Sequence, residues 1–128
     1  MGFLGTHGFS FDVFVGDVDG AGANIADDDD PNTTPPAADR IRSLGARADS
    51  GSGILVAALD GTTIEATPWG KFELDSETSL WAPLIAPVTI TRSTSAGYLL
   101  IGAFGGLPIF VQLTGQVGGV KRVGIKMG

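Results

Sequence analysis

Residues 93–120 run for 28 positions without a charged side chain, and glycine or proline interrupts them at 97, 102, 105, 106, 108, 115, 118 and 119. An uncharged stretch of that length could cross a bilayer as a helix. The interruptions argue against it, because helix interiors tolerate proline and paired glycines poorly. The apolar positions also recur with a period nearer two than 3.6. The stretch therefore reads as buried strands joined by tight turns. Residues 80–128 as a whole contain no Asp or Glu, and they predict four short strands that the rest of the chain must complete.

The upstream sequence follows the same grammar. Residues 9–15, FSFDVFV, alternate as a strand with Phe9, Phe11, Val13 and Val15 on one face. Phe14 falls on the other face, where it either packs under a second layer or is exposed for a partner. Residues 54–59, ILVAAL, form an apolar strand closed by Asp60-Gly61, a strong hairpin signal, with 62–67 as the returning strand. Pro68-Trp69-Gly70 reads as a corner and 71–75 as a half-buried strand. Residues 39–49 are ambiguous between a short helix and a loop. Residues 88–91, 98–101, 109–113 and 120–126 supply the later strands, with a turn at 93–97.

Few segments string strong helix formers together, and 20 glycines in 128 residues is double the usual share of about 7%. These features predict one all-β domain, an antiparallel β-sandwich of jelly-roll type with about eight short strands. Residues 1–38 would form an N-terminal arm, the first strand and a long acidic loop over 16–38, and residues 39–128 the sandwich core. A loop of twenty-odd residues is unusual inside a compact domain and is commonly functional or disordered.

Charge is segregated along the chain. Residues 1–39 carry eight Asp and no Lys or Arg, whereas 78–128 carry Arg92, Lys121, Arg122 and Lys126 and no acid. Such polarity suits surfaces that meet complementary ones, including another copy of the chain, although a solvated loop would look the same. The candidate interface residues are Phe3 and Leu4 of the arm, Phe14, Asp27, Asp28, Asp29, Asp30, and the four basic positions Arg92, Lys121, Arg122 and Lys126. Attachment through opposed charges would weaken with salt.

Chemistry is sparsely signalled. With no cysteine, disulfides, thiolate catalysis and Cys-ligated zinc are excluded. Asp17, Asp19, Asp27 and Asp28 offer carboxylates for calcium, but the loop lacks the third Asp and closing Glu of an EF-hand pattern. His7 is the only histidine, and neither a GxSxG elbow nor a P-loop accompanies it. Glu65/Glu73 and Asp75/Glu77 could be drawn as glycosidase pairs, yet on alternating strands they read as a wet face. An acidic chain with scattered basic residues does not suit nucleic acid. Trp69, Trp81 and Tyr98 are candidates to meet sugars, against a core-packing role. The expectation is a non-enzymatic protein without a cofactor. The N-terminus lacks the basic region and cleavage site of a secretory signal, so synthesis in the cytosol is expected. Asn32-Thr33-Thr34 reads as loop and not as a glycosylation site.

Over residues 72–115, FELD followed by LWAPLIAPVTITRSTSAGYLLIGAFGGLPIFVQLTG resembles small β-sandwich structural proteins of tailed bacteriophages. In those, a Trp-containing strand leads to a PVTIT-like strand, a Ser/Gly turn, a YLLIG strand and a final VxLTG strand. The resemblance covers roughly the last 55 residues and rests on texture, not an invariant motif. It implies a virion component made in the host cytoplasm that decorates or cements a capsid. Its partners would then be copies of itself, a trimer among the candidate stoichiometries, and the major capsid protein. It carries over no functional residue, because such proteins act through surfaces. The alternative is a carbohydrate- or receptor-binding module of a fibre, tail or cell surface.

Overall fold

In the computed structural model, described for residues 11–17, 19, 21–44, 53–91 and 105–127 and for the backbone of 97–100, the alternating segments become two stacked antiparallel sheets. The strands are β1 (Val13–Gly16), β2 (Ile41–Ser43), β3 (Gly53–Ala58), β4 (Thr63–Glu73), β5 (Ser79–Pro83), β6 (Val88–Thr91), β7 (Gly97–Leu100), β8 (Pro108–Val117) and β9 (Arg122–Met127). Sheet A has the order β1-β9-β3-β7. Sheet B has the order β2-β8-β4-β5, with β6 also pairing to β4. The expected all-β sandwich is the fold. Most connections pass from one sheet to the other, and only β4, β5 and β6 follow one another within a sheet.

Period-two alternation places the core. Val13, Ile54, Val56, Ala58, Val123, Ile125 and Met127 of sheet A face Ile64, Ala66, Ile90, Ile109, Val111 and Leu113 of sheet B. Leu44, Ile25 and Val120 close the cluster from the connections. Each Val, Leu, Ile or Met among them contributes about 1.5–3 kcal/mol when fully buried.

Two local expectations are corrected. Asp60-Gly61 does not turn a hairpin, because β3 and β4 lie in different sheets and each already has neighbours on both edges. The dipeptide turns the chain from one layer to the other. The Asp60 carboxylate accepts the amides of Lys121 and Arg122 at 2.7 and 3.0 Å. Gly61 sits at φ +71, where a Cβ would come within 2.6 Å of the Val120 backbone nitrogen.

Nor is Pro68-Trp69-Gly70 a corner, since β4 runs straight through it. Residues 63–66 pair with β6 and residues 69–73 with β5, so Pro68 falls where one partner hands over to the other. Its carbonyl accepts the Leu84 amide on that side. In an antiparallel ladder a residue's N–H and C=O point the same way, so the N–H that proline lacks would have aimed at the gap between the two partners. Among the described residues no helix is long and apolar enough to cross a membrane.

Candidate functional site

A sandwich with a filled core can act only through its outer faces, edges and loops, and the acidic segment occupies two of these. Between Ile25 and Asp28 it follows the edge of β8 beyond the end of β2. Ile25 N–H donates to Val120 O at 2.8 Å and Asp28 N–H to Leu113 O at 2.9 Å. Side chains supply the remaining acceptors: Leu113 N–H donates to Asp28 Oδ2 and Gly115 N–H to Asp27 Oδ1, both at 2.8 Å. The chain then crosses β4 to β5, where the Asn32 amide imitates a strand partner. Its Nδ2 donates to Trp81 O at 2.8 Å, and Trp81 N–H donates to its Oδ1 at 2.9 Å.

The crossing is a strap on the outer face of sheet B. Phe110 and Trp81 belong to that face by alternation, yet they are only 3% and 7% exposed and stand apart from the main core. Their rings meet edge to face at 6.3 Å. Pro31 within the strap is fully buried. Arg40, in the 3-10 turn Ala38–Arg40 where the strap returns, lays its guanidinium 5.1 Å from the Phe110 ring centre. It also forks onto Asp28, Nη1 to Oδ1 at 3.2 Å and Nη2 to Oδ2 at 2.6 Å, and donates to Val111 O. Asp28–Arg40 thus closes a compact loop at its base.

The four-Asp run therefore works as separate acceptors, not as one charged patch. Asp27 caps Gly115, Asp28 pairs with Arg40, Asp29 accepts from Thr34 Oγ1 and Asp30 accepts from Asn32 N–H. Asp17 turns back on Asp19 N–H. Asp17, Asp19, Asp27 and Asp28 do not converge on one point, and among the described residues no three such ligands come together.

Nor is the segregation of charge in sequence a segregation in space. Antiparallel pairing lays β9 against β1, so Lys126 reaches Asp12 at 3.3 Å, and Arg122 reaches Asp60 at 3.3 Å. Burial tends to raise the Asp60 carboxyl, but the Lys121 and Arg122 amides and the Arg122 guanidinium outweigh it and hold it below the ordinary carboxylate value. Glu65 and Glu73 lie eight residues apart on one strand, about 26 Å at the rise of an extended chain, far beyond a glycosidase pair. Asp75 caps its own turn through Glu77 N–H and Thr78 N–H, and those bonds lower its carboxyl.

The outer face of sheet A is different. The strand period breaks at Asp12, whose carboxylate accepts Met127 N–H, so Phe11 lies outside and not on the core side expected for it. Its ring covers Gly124, where a Cβ would come within 2.5 Å of it. Phe14 stands beside it edge to face at 5.5 Å and is 51% exposed. Gly53, Leu55 and Ala57 lie on the same side of β3, next to Gly124 and Lys126 of β9, so the apolar patch at Phe14 and Phe11 is bordered by the Lys126–Asp12 and Arg122–Asp60 pairs, and β1 lies at the end of the sheet. Phe3, Leu4, His7 and Arg92 lie outside the described residues, as does the Tyr98 side chain. No family model matches the chain, and neither a curated protein nor a solved structure matches it.

Proposed function

We propose that this chain is a non-enzymatic structural protein that assembles through the outer face of sheet A, as a virion component decorating or cementing a capsid. The observation that carries the reading is the asymmetry between the two outer faces. The strap covers much of the outer face of sheet B and seals Phe110 and Trp81, leaving Trp69 beside an open groove. On sheet A, Phe14 remains half exposed beside Phe11 and opposite Gly124.

Large apolar side chains grouped on an exposed sheet face suit a protein contact better than solvent. The occupant argued for is a second copy of the chain, or a capsid subunit offering a similar apolar patch. Near the patch, Lys126 and Arg122 are paired within the chain, so apolar burial drives the contact. The all-β sandwich and the resemblance over residues 72–115 support the virion setting.

The test is density-gradient fractionation of lysate from the native source, with the chain followed by mass spectrometry. Banding with assembled particles supports the reading, and recovery only in the soluble fraction overturns it.

A further inference from the structure

The strap leaves one part of sheet B's outer face uncovered. Beside it lies an open groove of about 560 Å³, lined chiefly by Trp69 and Gln112, Thr67, Pro83, Ile85 and Pro87. That volume falls within the span of small-ligand sites, about 300–1,000 Å³. Trp69 Nε1 donates to Gln112 Oε1 at 3.0 Å, and Gln112 Nε2 donates to Asp28 O at 3.2 Å. The indole is thus held in one orientation through an amide anchored on the strap.

We propose that this groove binds a neutral saccharide, with a pyranose ring stacked on the indole of Trp69. Three observations select that chemistry. First, no charged side chain lines the groove, in a protein of net charge −6. An anion finds no cation there, and a cation finds no carboxylate to pair with. Second, the Trp69 N–H is committed inside the protein, so the ring has only its face to offer. That face is electron-rich and attracts the polarised C–H groups of a sugar ring. A proline-rich peptide also docks on aromatic grooves, but its carbonyls would look for the donor that Gln112 has taken. Third, the Gln112 amide lies beside the ring and, after its bonds to Trp69 and Asp28, keeps one N–H and one lone pair for a sugar hydroxyl, while Thr67 is buried and serves as wall. The groove is on the opposite sheet from Phe14, so this site and the assembly face can fail separately.

The probes are neutral hexasaccharides built from glucose, galactose or mannose, with a uronic-acid hexasaccharide and a proline-rich decapeptide as comparisons. Binding is read by saturation-transfer NMR and by tryptophan emission. The expected result is a millimolar or tighter Kd for at least one neutral hexasaccharide, weakened at least tenfold by Trp69→Ala. Pro87→Asp, a change at an exposed rim residue that makes none of the strap's hydrogen bonds, is expected to weaken binding similarly while leaving the urea midpoint unchanged. This second variant separates loss of the site from loosening of the strap. The proposal is overturned if no neutral hexasaccharide binds at about 10 mM, where a millimolar site would be mostly filled. It is equally overturned if binding survives both substitutions, or if only the peptide or the charged sugar binds.

Discussion

Replacing Asp28 by Ala tests whether the acidic segment is a built part of the fold. The side chains of Asp28 and Arg40 are 20% and 16% exposed, joined by two hydrogen bonds, and Asp28 also holds the Leu113 amide. Removing one partner of a fully buried pair costs about 3–5 kcal/mol, whereas a fully exposed pair is worth about 0–1 kcal/mol. This pair lies nearer the buried limit, with some solvent screening. The stranded Leu113 N–H adds about 1 kcal/mol or more. Arg40 Nε is already buried without a hydrogen-bond partner, so the guanidinium would keep only Val111 O and the face of Phe110.

The expected loss is about 3 kcal/mol, which at a urea m-value of about 1.5 kcal/mol/M lowers the midpoint by about 2 M. Urea titration followed by tryptophan emission reads this directly, because Trp81 lies under the strap. Combining Asp28→Ala with Arg40→Met removes the unpaired cation while keeping apolar cover over Phe110, and is expected to recover about 1–2 kcal/mol. A loss below about 0.5 kcal/mol for Asp28→Ala would mean a solvated surface pair and would refute the strap.

Two further outcomes follow from the same acceptors. Asn32→Ala leaves both backbone groups of Trp81 without partners and is expected to cost about 1–3 kcal/mol, with Trp81 emission shifted to the red; unchanged emission would count against the crossing. Asp60 has a folded-state pKa below its unfolded value, so its contribution is complete above the ordinary carboxylate range, near pH 4. That contribution is lost as pH falls from there through the lowered value. Asp60→Asn should therefore flatten the acid side of the stability curve, measured by urea titration at pH 7 and at steps below pH 4; an unchanged slope contradicts the assignment.

The strands were legible because alternation and glycine punctuation are local signals, and β3, β8 and β9 lie close to their expected places. Pairing was not, because Asp60-Gly61 looks the same whether it turns a hairpin or passes between sheets. Only the neighbours already occupying both edges of β3 decide that. Pro68 reads as a breaker because the handover from β6 to β5 is set by residues 79–91, well downstream of it. The Asp run was read as charge, whereas the fold uses Asp27, Asp28, Asp29 and Asp30 one by one as hydrogen-bond acceptors. The signal available was Asn32-Thr33-Thr34 and Pro31 beside them, a turn-forming composition that marks a built loop. Phe14 could be placed outside by parity alone, but the accompanying Phe11 could not, because Asp12 breaks the period.

The outer face of sheet A is the proposed meeting point of this protein with other chains. Sedimentation velocity over a range of concentrations, with wild type beside Phe14→Glu, tests it most directly. Because the charges near Phe14 are paired and the chain carries net −6, added salt should strengthen association by screening repulsion between copies. That reverses the dependence expected from the segregated sequence. Wild type is expected to self-associate as concentration rises, more so in salt, and Phe14→Glu to stay monomeric with its urea midpoint unchanged. A wild type that is monomeric throughout, or a Phe14→Glu variant that associates equally well, would contradict it.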